Sequence, residues 1–154
     1  MSARQGRIPA IDRTEFEALR DLPGKEIKQD IRFRKPVTLR PIVIADDVEI
    51  VNAAGVELRL TIHYNPERGS KTFNVHVHGV GPICRLDVDG PPHRPAAESH
   101  KHSCQGPADP NLRDGVVDRP DLSGASLPDL FKAFCQMAQI TFTGTLEQVK
   151  DEEP

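Results

Sequence analysis

Apolar and polar residues alternate along three segments in the middle of the chain, residues 56–64, 72–78 and 83–89. In the first segment, leucine and isoleucine at every second position alternate with arginine, threonine and histidine. Alternation with a period of two is typical of a strand with one face on a core and one face open. The three segments therefore predict an antiparallel sheet with one buried face and one polar face.

Three further segments have the composition of strands: residues 37–44, 48–51 and 140–146. The first contains Pro41, which has no N–H to donate to a neighbouring strand, so we expect this segment at a sheet edge or a bulge. Together with the alternating segments, they predict a sheet of five or six strands.

Two segments have helical periodicity. Residues 14–22 begin with Thr14, which can cap a helix with Glu17 as its capping-box partner. The second helix begins after Ser126, with Asp129 in its first turn and apolar residues at helical spacing behind it. We therefore expect an α+β fold, a mainly antiparallel sheet of five or six strands with an N-terminal and a C-terminal helix packed on one face.

The length of 154 residues is that of one ordinary domain, so we expect a single domain over residues 1–154. Its ends, residues 1–10 and 148–154, are expected to be flexible. Residues 90–126 are rich in Pro, Gly, Asp and Ser and predict a long loop. A loop of that length in a small domain usually has a function or is disordered.

The turns between the three alternating segments predict hairpins and a register. Keeping the apolar residues on one face pairs Leu60 with Val75 and Leu86. Neighbours in the resulting cross-strand rows would lie about 5 Å apart at the β-carbon. The predicted rows on the open face are Arg59–His76–Arg85, Thr61–Asn74–Asp87 and His63–Thr72–Asp89.

The net charge of −3 gives no general attraction to nucleic acid or to an anionic membrane. The three cysteines form no C-x-x-C pair, and no segment has the roughly 20 apolar residues of a membrane span or the pattern of a leader peptide. We therefore expect a cytoplasmic protein without membrane contact. The absence of a Gly-rich phosphate loop, a G-x-S-x-G motif and tryptophan disfavours nucleotide-cofactor enzymes, serine hydrolases and base-stacking platforms.

Five of the six histidines lie between His76 and His102, around the block Arg-Leu-Asp-Val-Asp-Gly-Pro-Pro-His-Arg at residues 85–94. Histidine titrates near neutral pH, transfers protons and binds metals. The neighbouring arginines and aspartates can bind anions and orient imidazole rings. A chemical site is therefore expected in this segment and on the adjoining polar face of the sheet.

The block at residues 85–94, the pair His100-Lys-His102 and the later Phe-x-x-Phe-Cys helix resemble a bacterial family of unknown function. Its small, single-domain members share an Arg-Leu-Asp-x-x-Gly-Pro-Pro-His-Arg block followed by a His-x-His pair. The resemblance covers roughly residues 56–140 and implies no activity. The positions that match the family's polar signature are Arg85, Asp87, His93, Arg94, His100 and His102.

Our leading interpretation is a small phosphodiester-acting protein, a toxin-like ribonuclease without a cofactor. Cleavage of RNA needs a base for the 2′-hydroxyl proton, an acid for the 5′-oxygen and cations for the phosphate. Histidines would act as base and acid, an aspartate would orient a histidine, and arginines would bind RNA or another phosphate-bearing ligand. The candidates are His93, His102 and Asp87 for catalysis, and Arg85, Arg94, Arg59 and His76 for substrate binding.

Two alternatives remain open from the sequence. The first is a metal-dependent hydrolase or metal-binding domain in which His93, His100 and His102 hold zinc or another divalent transition metal. The second is a non-catalytic module that binds a protein partner, as in a toxin–antitoxin-like pair. The oligomeric state, the substrate and the pathway do not follow from the sequence.

Overall fold

The computed structural model describes residues 13–89, 100–103, 117–118 and 120–149. Two α-helices and eight β-strands lie in these residues, with short 3₁₀ turns at Val37–Leu39 and Pro120–Leu122. The elements in chain order are α1 (Arg13–Asp21), β1 (Lys25–Ile27), β2 (Val43–Ile50), β3 (Leu58–Tyr64), β4 (Lys71–Val77), β5 (Gly81–Val88), β6 (His100–Ser103), β7 (Val117–Asp118), α2 (Leu127–Met137) and β8 (Ile140–Phe142).

The strands form two separate sheets. Four long antiparallel strands, β2 to β5, follow one another in space as they do in sequence, and the short strands β6 and β7 continue the pairing beyond β5. The second sheet is a parallel pair of β1 and β8, in which Lys25 lies opposite Ile140 and Ile27 lies opposite Phe142. The fold is therefore α+β and contains an antiparallel sheet.

The predicted architecture of one five- or six-stranded sheet with helices at both ends packed on one face is wrong. The first and last strands, β1 and β8, leave the antiparallel sheet and pair with each other in parallel. Strand β8, after α2, lies within the predicted strand at residues 140–146, but it pairs with β1 and not with the antiparallel sheet. Strands of three residues are too short to show a period, which is why the sequence did not separate the two sheets.

The predicted strand at residues 37–44 is also wrong over most of its length. Residues Val37–Leu39 form a 3₁₀ turn in which the Leu39 N–H donates to the Pro36 carbonyl, and β2 begins only at Val43. Strand β2 joins the end of this segment with the predicted strand at 48–51 into one strand. A bulge with one extra residue between Ala45 and Val48 keeps both parts paired with β3.

The register of β3 against β4 is confirmed, since Leu60 lies opposite Val75 and Thr61 opposite Asn74. The register of β4 against β5 is wrong by two residues, because Val75 lies opposite Cys84 instead of Leu86. A bulge between Val75 and His76 takes up Ile83, which is buried beside Cys84. A shift by two residues keeps every side chain on its face, so burial alone could not reveal it.

Helix α2 packs its apolar side on the antiparallel sheet. The Phe73 ring in β4 stacks on Phe134 with ring centroids 5.3 Å apart and lies 6.4 Å from Phe131. The predicted cap is confirmed, because the Ser126 hydroxyl accepts a hydrogen bond from the Asp129 N–H. No helix in the described residues is long and apolar enough to cross a membrane.

Candidate functional site

The polar face of the antiparallel sheet carries two adjacent cross-strand rows of chemically active residue types. Directly opposed residues in an antiparallel pair share a face of the sheet. The rows therefore follow from the pairing of β3, β4, β5 and β6. They are His63–Thr72–Asp87 and Thr61–Asn74–Arg85, and the backbones of His100 and His102 in β6 are the register partners of Asp87 and Arg85.

Asp87 is the anchored group of this face. Its residue is only 7% exposed, although it lies on the polar side of the sheet. The Thr72 hydroxyl donates to Oδ1 at 2.8 Å, and the Arg85 Nε donates to Oδ1 at 3.1 Å and to Oδ2 at 3.0 Å. A carboxylate with several such donors is held in one orientation.

Arg85 lies between this carboxylate and the solvent. Its side chain is 41% exposed, and its ion pair to Asp87 uses Nε. Within the described residues, its two terminal nitrogens donate no hydrogen bond. The guanidinium is thus positioned by its inner nitrogen while its outer edge can bind an anion with two parallel hydrogen bonds.

His63 lies in the same row as Asp87, with Thr72 between them. Partial burial of its imidazole lowers the pKa of His63, and the charge of Arg85 lowers it further, while Asp46 opposes the shift. The ring is therefore mostly neutral at pH 7 and able to accept a proton.

Strand β6 brings the backbone of the His-x-His pair to this face. His100 is the register partner of Asp87, and His102 is the register partner of Arg85. The pairing thus places the backbone of each histidine directly beside one member of the Arg85–Asp87 ion pair. The predicted site residues His93 and Arg94 lie outside the described residues, as does Cys104.

Arg59 and His76 lie opposite each other at the far end of the polar face. Arg59 is four residues from His63 along β3, or about 13 Å at the usual rise of a strand. Its guanidinium forms ion pairs with Glu57 at 3.1 Å and with Glu49 at 4.0 Å, so its charge is compensated. The structure therefore does not bring these two residues together with Asp87, and their role in substrate binding stays a prediction.

Burial lowers the pKa of His76, and the neighbouring His78 lowers it further, while Asp47 opposes the shift. The imidazole of His76, like that of His63, is therefore largely neutral at pH 7. Its register partner in β5 is Pro82, at the start of that strand.

Asp89, which the sequence placed opposite Thr72, has a structural contact instead. Its Oδ2 accepts a hydrogen bond from the Gly124 N–H at 2.8 Å, which ties the end of β5 to the turn before α2. Across the described ranges, no group of three or more His, Cys, Asp or Glu side chains is arranged to hold a metal ion. The predicted metal ligands His93, His100 and His102 have no described side chains, so that alternative stays a prediction.

The proximity of His63 to Asp87 was missed from the sequence, which paired His63 with Asp89. The bulge that takes up Ile83 moves Asp87 into the row of His63 and Arg85 into the row of Asn74. Asn74 Oδ1 is buried there without a hydrogen-bond partner. The only available signal was the adjacent apolar pair Ile83-Cys84, which breaks the alternation of β5.

Comparison with known proteins gives no significant match to this chain among protein-family models, curated proteins or solved structures. The resemblance to a bacterial family with the same ten-residue block therefore stays a prediction. Any function has to be argued from the residues of the site.

Proposed function

We propose that this protein binds and cleaves a phosphodiester, with RNA as the substrate class, on the polar face of the antiparallel sheet. One observation carries the proposal: the Arg85–Asp87–Thr72 cluster lies beside a histidine, His63, whose pKa is lowered. A fixed cation and a neutral imidazole are two of the three groups that metal-independent cleavage of RNA requires, and the third is an acid for the 5′-oxygen.

In the proposed reaction, a neutral histidine accepts the proton of the ribose 2′-hydroxyl, and the 2′-oxygen forms a bond to phosphorus. The bond from phosphorus to the 5′-oxygen breaks, and a protonated histidine donates a proton to that oxygen. Attack and departure occur in line, so base and acid stand on opposite sides of the phosphate. His63 on β3 and His102 on β6 lie on opposite sides of Arg85 in strand order, which suits these two roles.

Arg85 is the proposed phosphate ligand. Its inner nitrogen is held by Asp87, and its two terminal nitrogens can form parallel hydrogen bonds to phosphate oxygens. Asp87 is a positioning residue in this scheme, because it orients the guanidinium and is the register partner of His100. His93 and Arg94 remain candidates for the acid and for a second phosphate ligand.

Two other functions remain as alternatives, and the cleavage experiment distinguishes them from the proposed one. A divalent transition metal held by His93, His100 and His102 would make the protein a metal-dependent hydrolase or metal-binding domain. A protein partner on the same face would make it a binding module. A cytoplasmic location belongs to this proposal.

The test is cleavage of a 5′-labelled oligoribonucleotide by untagged protein, with and without chelator, for the wild type and two histidine variants. His63→Ala should lower the cleavage rate by about 100-fold or more, the usual loss when a general base is removed. The matched control is His78→Ala, because His78 is exposed, pairs with Glu57 and lies outside both rows. Its rate should equal that of the wild type.

Each result decides between the functions. Full activity of His63→Ala would contradict the role of His63, and no cleavage by the wild type would contradict catalysis on RNA. Loss of cleavage with chelator, together with bound metal by elemental analysis, would establish the metal-dependent alternative. Equal melting temperatures of the two variants would show that the loss of rate does not come from unfolding.

A further inference from the structure

A second arginine–aspartate pair on the polar face lies beside His63. The N–H and the carbonyl of Arg34 pair with the carbonyl and the N–H of Ile44, at 2.9 and 3.0 Å, and Ile44 in β2 lies opposite His63 in β3. Directly opposed residues of antiparallel segments share a face of the sheet. Arg34 and His63 therefore flank Ile44 on the same side of the sheet.

Asp46, two residues beyond Ile44 in β2, is a diagonal neighbour of both groups. Diagonal residues on adjacent strands are about 7–8 Å apart, which long side chains can span. In the structure Arg34 engages this carboxylate, because its Nε donates to Oδ1 at 3.3 Å and its Nη2 donates to Oδ2 at 2.8 Å. The aspartate thus stands between a cation that holds it and a histidine that it could reach.

We propose that the Arg34–Asp46 ion pair positions His63 as the base, since Arg34 holds the carboxylate and so keeps it from accepting a hydrogen bond from the imidazole. The inference rests on the proposed function, because it assigns a positioning residue to the same reaction. An imidazole that donates to a carboxylate binds a second proton more tightly. A doubly protonated ring cannot accept the proton of the ribose 2′-hydroxyl, so the base depends on the engagement of Asp46 by Arg34.

Within the described residues, charged groups face His63 from both sides. Arg34 and Asp46 lie on the side of β2, whereas Arg85 and Asp87 lie on the side of β4 and β5. Each carboxylate is paired with its arginine, at 2.8 Å in the first pair and 3.0 Å in the second. Burial lowers the pKa of His63, both arginines lower it further, and Asp46 opposes them. Removal of Arg34 therefore acts on the imidazole twice, through the lost cation and through the released carboxylate.

The experiment is an NMR titration of the His63 imidazole in the full chain, combined with the pH profile of cleavage of a labelled oligoribonucleotide. Arg34→Gln should raise the pKa of His63, and Asp46→Asn should lower it. With less neutral imidazole, Arg34→Gln should cleave roughly threefold more slowly on the acid side of the profile, the usual effect of one exposed charge pair. At the alkaline end, where the ring is neutral in both proteins, its rate should equal that of the wild type.

Arg20→Gln is the matched control, because Arg20 forms the same side-on ion pair with Asp21 but belongs to helix α1. Its titration and its pH profile should match those of the wild type. The double variant Arg34→Gln/Asp46→Asn should titrate between the two single variants. The His63 signal is assigned by its absence from the spectrum of His63→Ala.

The two readouts separate this inference from the proposed function. An unchanged His63 titration in Arg34→Gln, or shifts in the same direction in Arg34→Gln and Asp46→Asn, would overturn the inference even if the protein cleaves RNA. Opposite shifts in a protein that does not cleave RNA would contradict catalysis and support the control of the imidazole by the ion pair. Equal melting temperatures of the variants would show that the shifts do not come from unfolding.

Discussion

Lys25 is a charged residue placed almost out of contact with water, with 1% of its surface exposed. Its Nζ donates to the carbonyls of Leu19 and Arg20 at 2.9 and 2.6 Å, in the last turn of α1. Burial lowers the pKa of Lys25 to about 8, although Cys84 and Asp21 oppose the shift. The ammonium group therefore stabilises the end of the helix and bears a desolvation cost.

This pKa predicts a stability that rises with pH. Between about pH 8 and pH 10.5 the unfolded chain binds more protons at Lys25 than the folded chain, so the free energy of unfolding should increase over that window. Lys25→Met should remove the increase, and Lys132→Met, at an exposed position of α2, should keep it. Urea titrations at several pH values measure both.

Cys135 must be replaced by alanine in all these proteins, because its effect has the opposite sign. Burial raises the pKa of the Cys135 thiol to about 12 from 9.0, so the unfolded chain loses this proton first and stability falls above pH 9. A Lys25→Met protein that still gains stability between pH 8 and pH 10.5 in this background would contradict the prediction.

At the scale of elements, the parallel pair of β1 and β8 is extended by a close backbone contact. The Thr145 N–H donates to Asp30 Oδ1 at 2.9 Å, and the Ile31 N–H donates to the Thr145 carbonyl at 2.8 Å. The backbone carbonyl of Gln29 fills the space that a β-carbon on residue 144 would occupy. The two segments can approach this closely only because residue 144 has no side chain.

Gly144→Ala should therefore destabilise the protein by about 2–3 kcal/mol, since the β-carbon would overlap backbone atoms that cannot move independently. Gly55→Ala is the control. It has a positive φ of +67° and open space around its α-carbon, so its cost should be only about 1 kcal/mol for the left-handed backbone. Urea unfolding of both variants measures the difference, and equal losses would exclude a steric contact at Gly144.

At the scale of the whole molecule, both sheets and both helices contribute to one hydrophobic core. Leu19 of α1, Ile27 of β1, Phe73 of β4, Phe134 of α2 and Ile140 of β8 belong to the same buried cluster. The parallel pair is thus not an independent unit, although its strands pair separately from the antiparallel sheet. We expect the chain to unfold in one cooperative transition.

Phe134→Ala tests this cooperativity. The ring is fully buried and stacks on Phe73, so its removal should cost about 3–5 kcal/mol. The loss should appear equally in the far-ultraviolet circular dichroism and in the fluorescence of Tyr64, the only tyrosine in a chain without tryptophan. Phe142→Ala, at a half-buried ring, should cost less. Separate transitions for the two signals would show that the helices and the sheet unfold independently.

The sequence by itself determined the local features of this protein. Strict alternation identified β3 and β4 and the buried face of each, and the turn between the two strands then gave their mutual register. Ser126 and Asp129 identified the beginning of α2, since capping depends on neighbouring residues. The prediction of Arg85 and Asp87 on the open face of the sheet rested on the same alternation. The sequence placed the His-x-His pair in the long loop and did not predict its pairing with β5.

Only the tertiary structure decided which distant residues meet. The tight turn that pairs Val77 with Gly81 and the one-residue bulge at Ile83 together set His63 in the row of Asp87. This register differs from the predicted one by two residues, a difference that leaves the pattern of buried positions unchanged. The parallel pairing of β1 with β8 joins segments more than 100 residues apart, and their three-residue strands carry no period that could indicate a partner. Local patterns fix which face of a strand is buried, whereas partner, register and close contacts depend on how the whole chain fills its core.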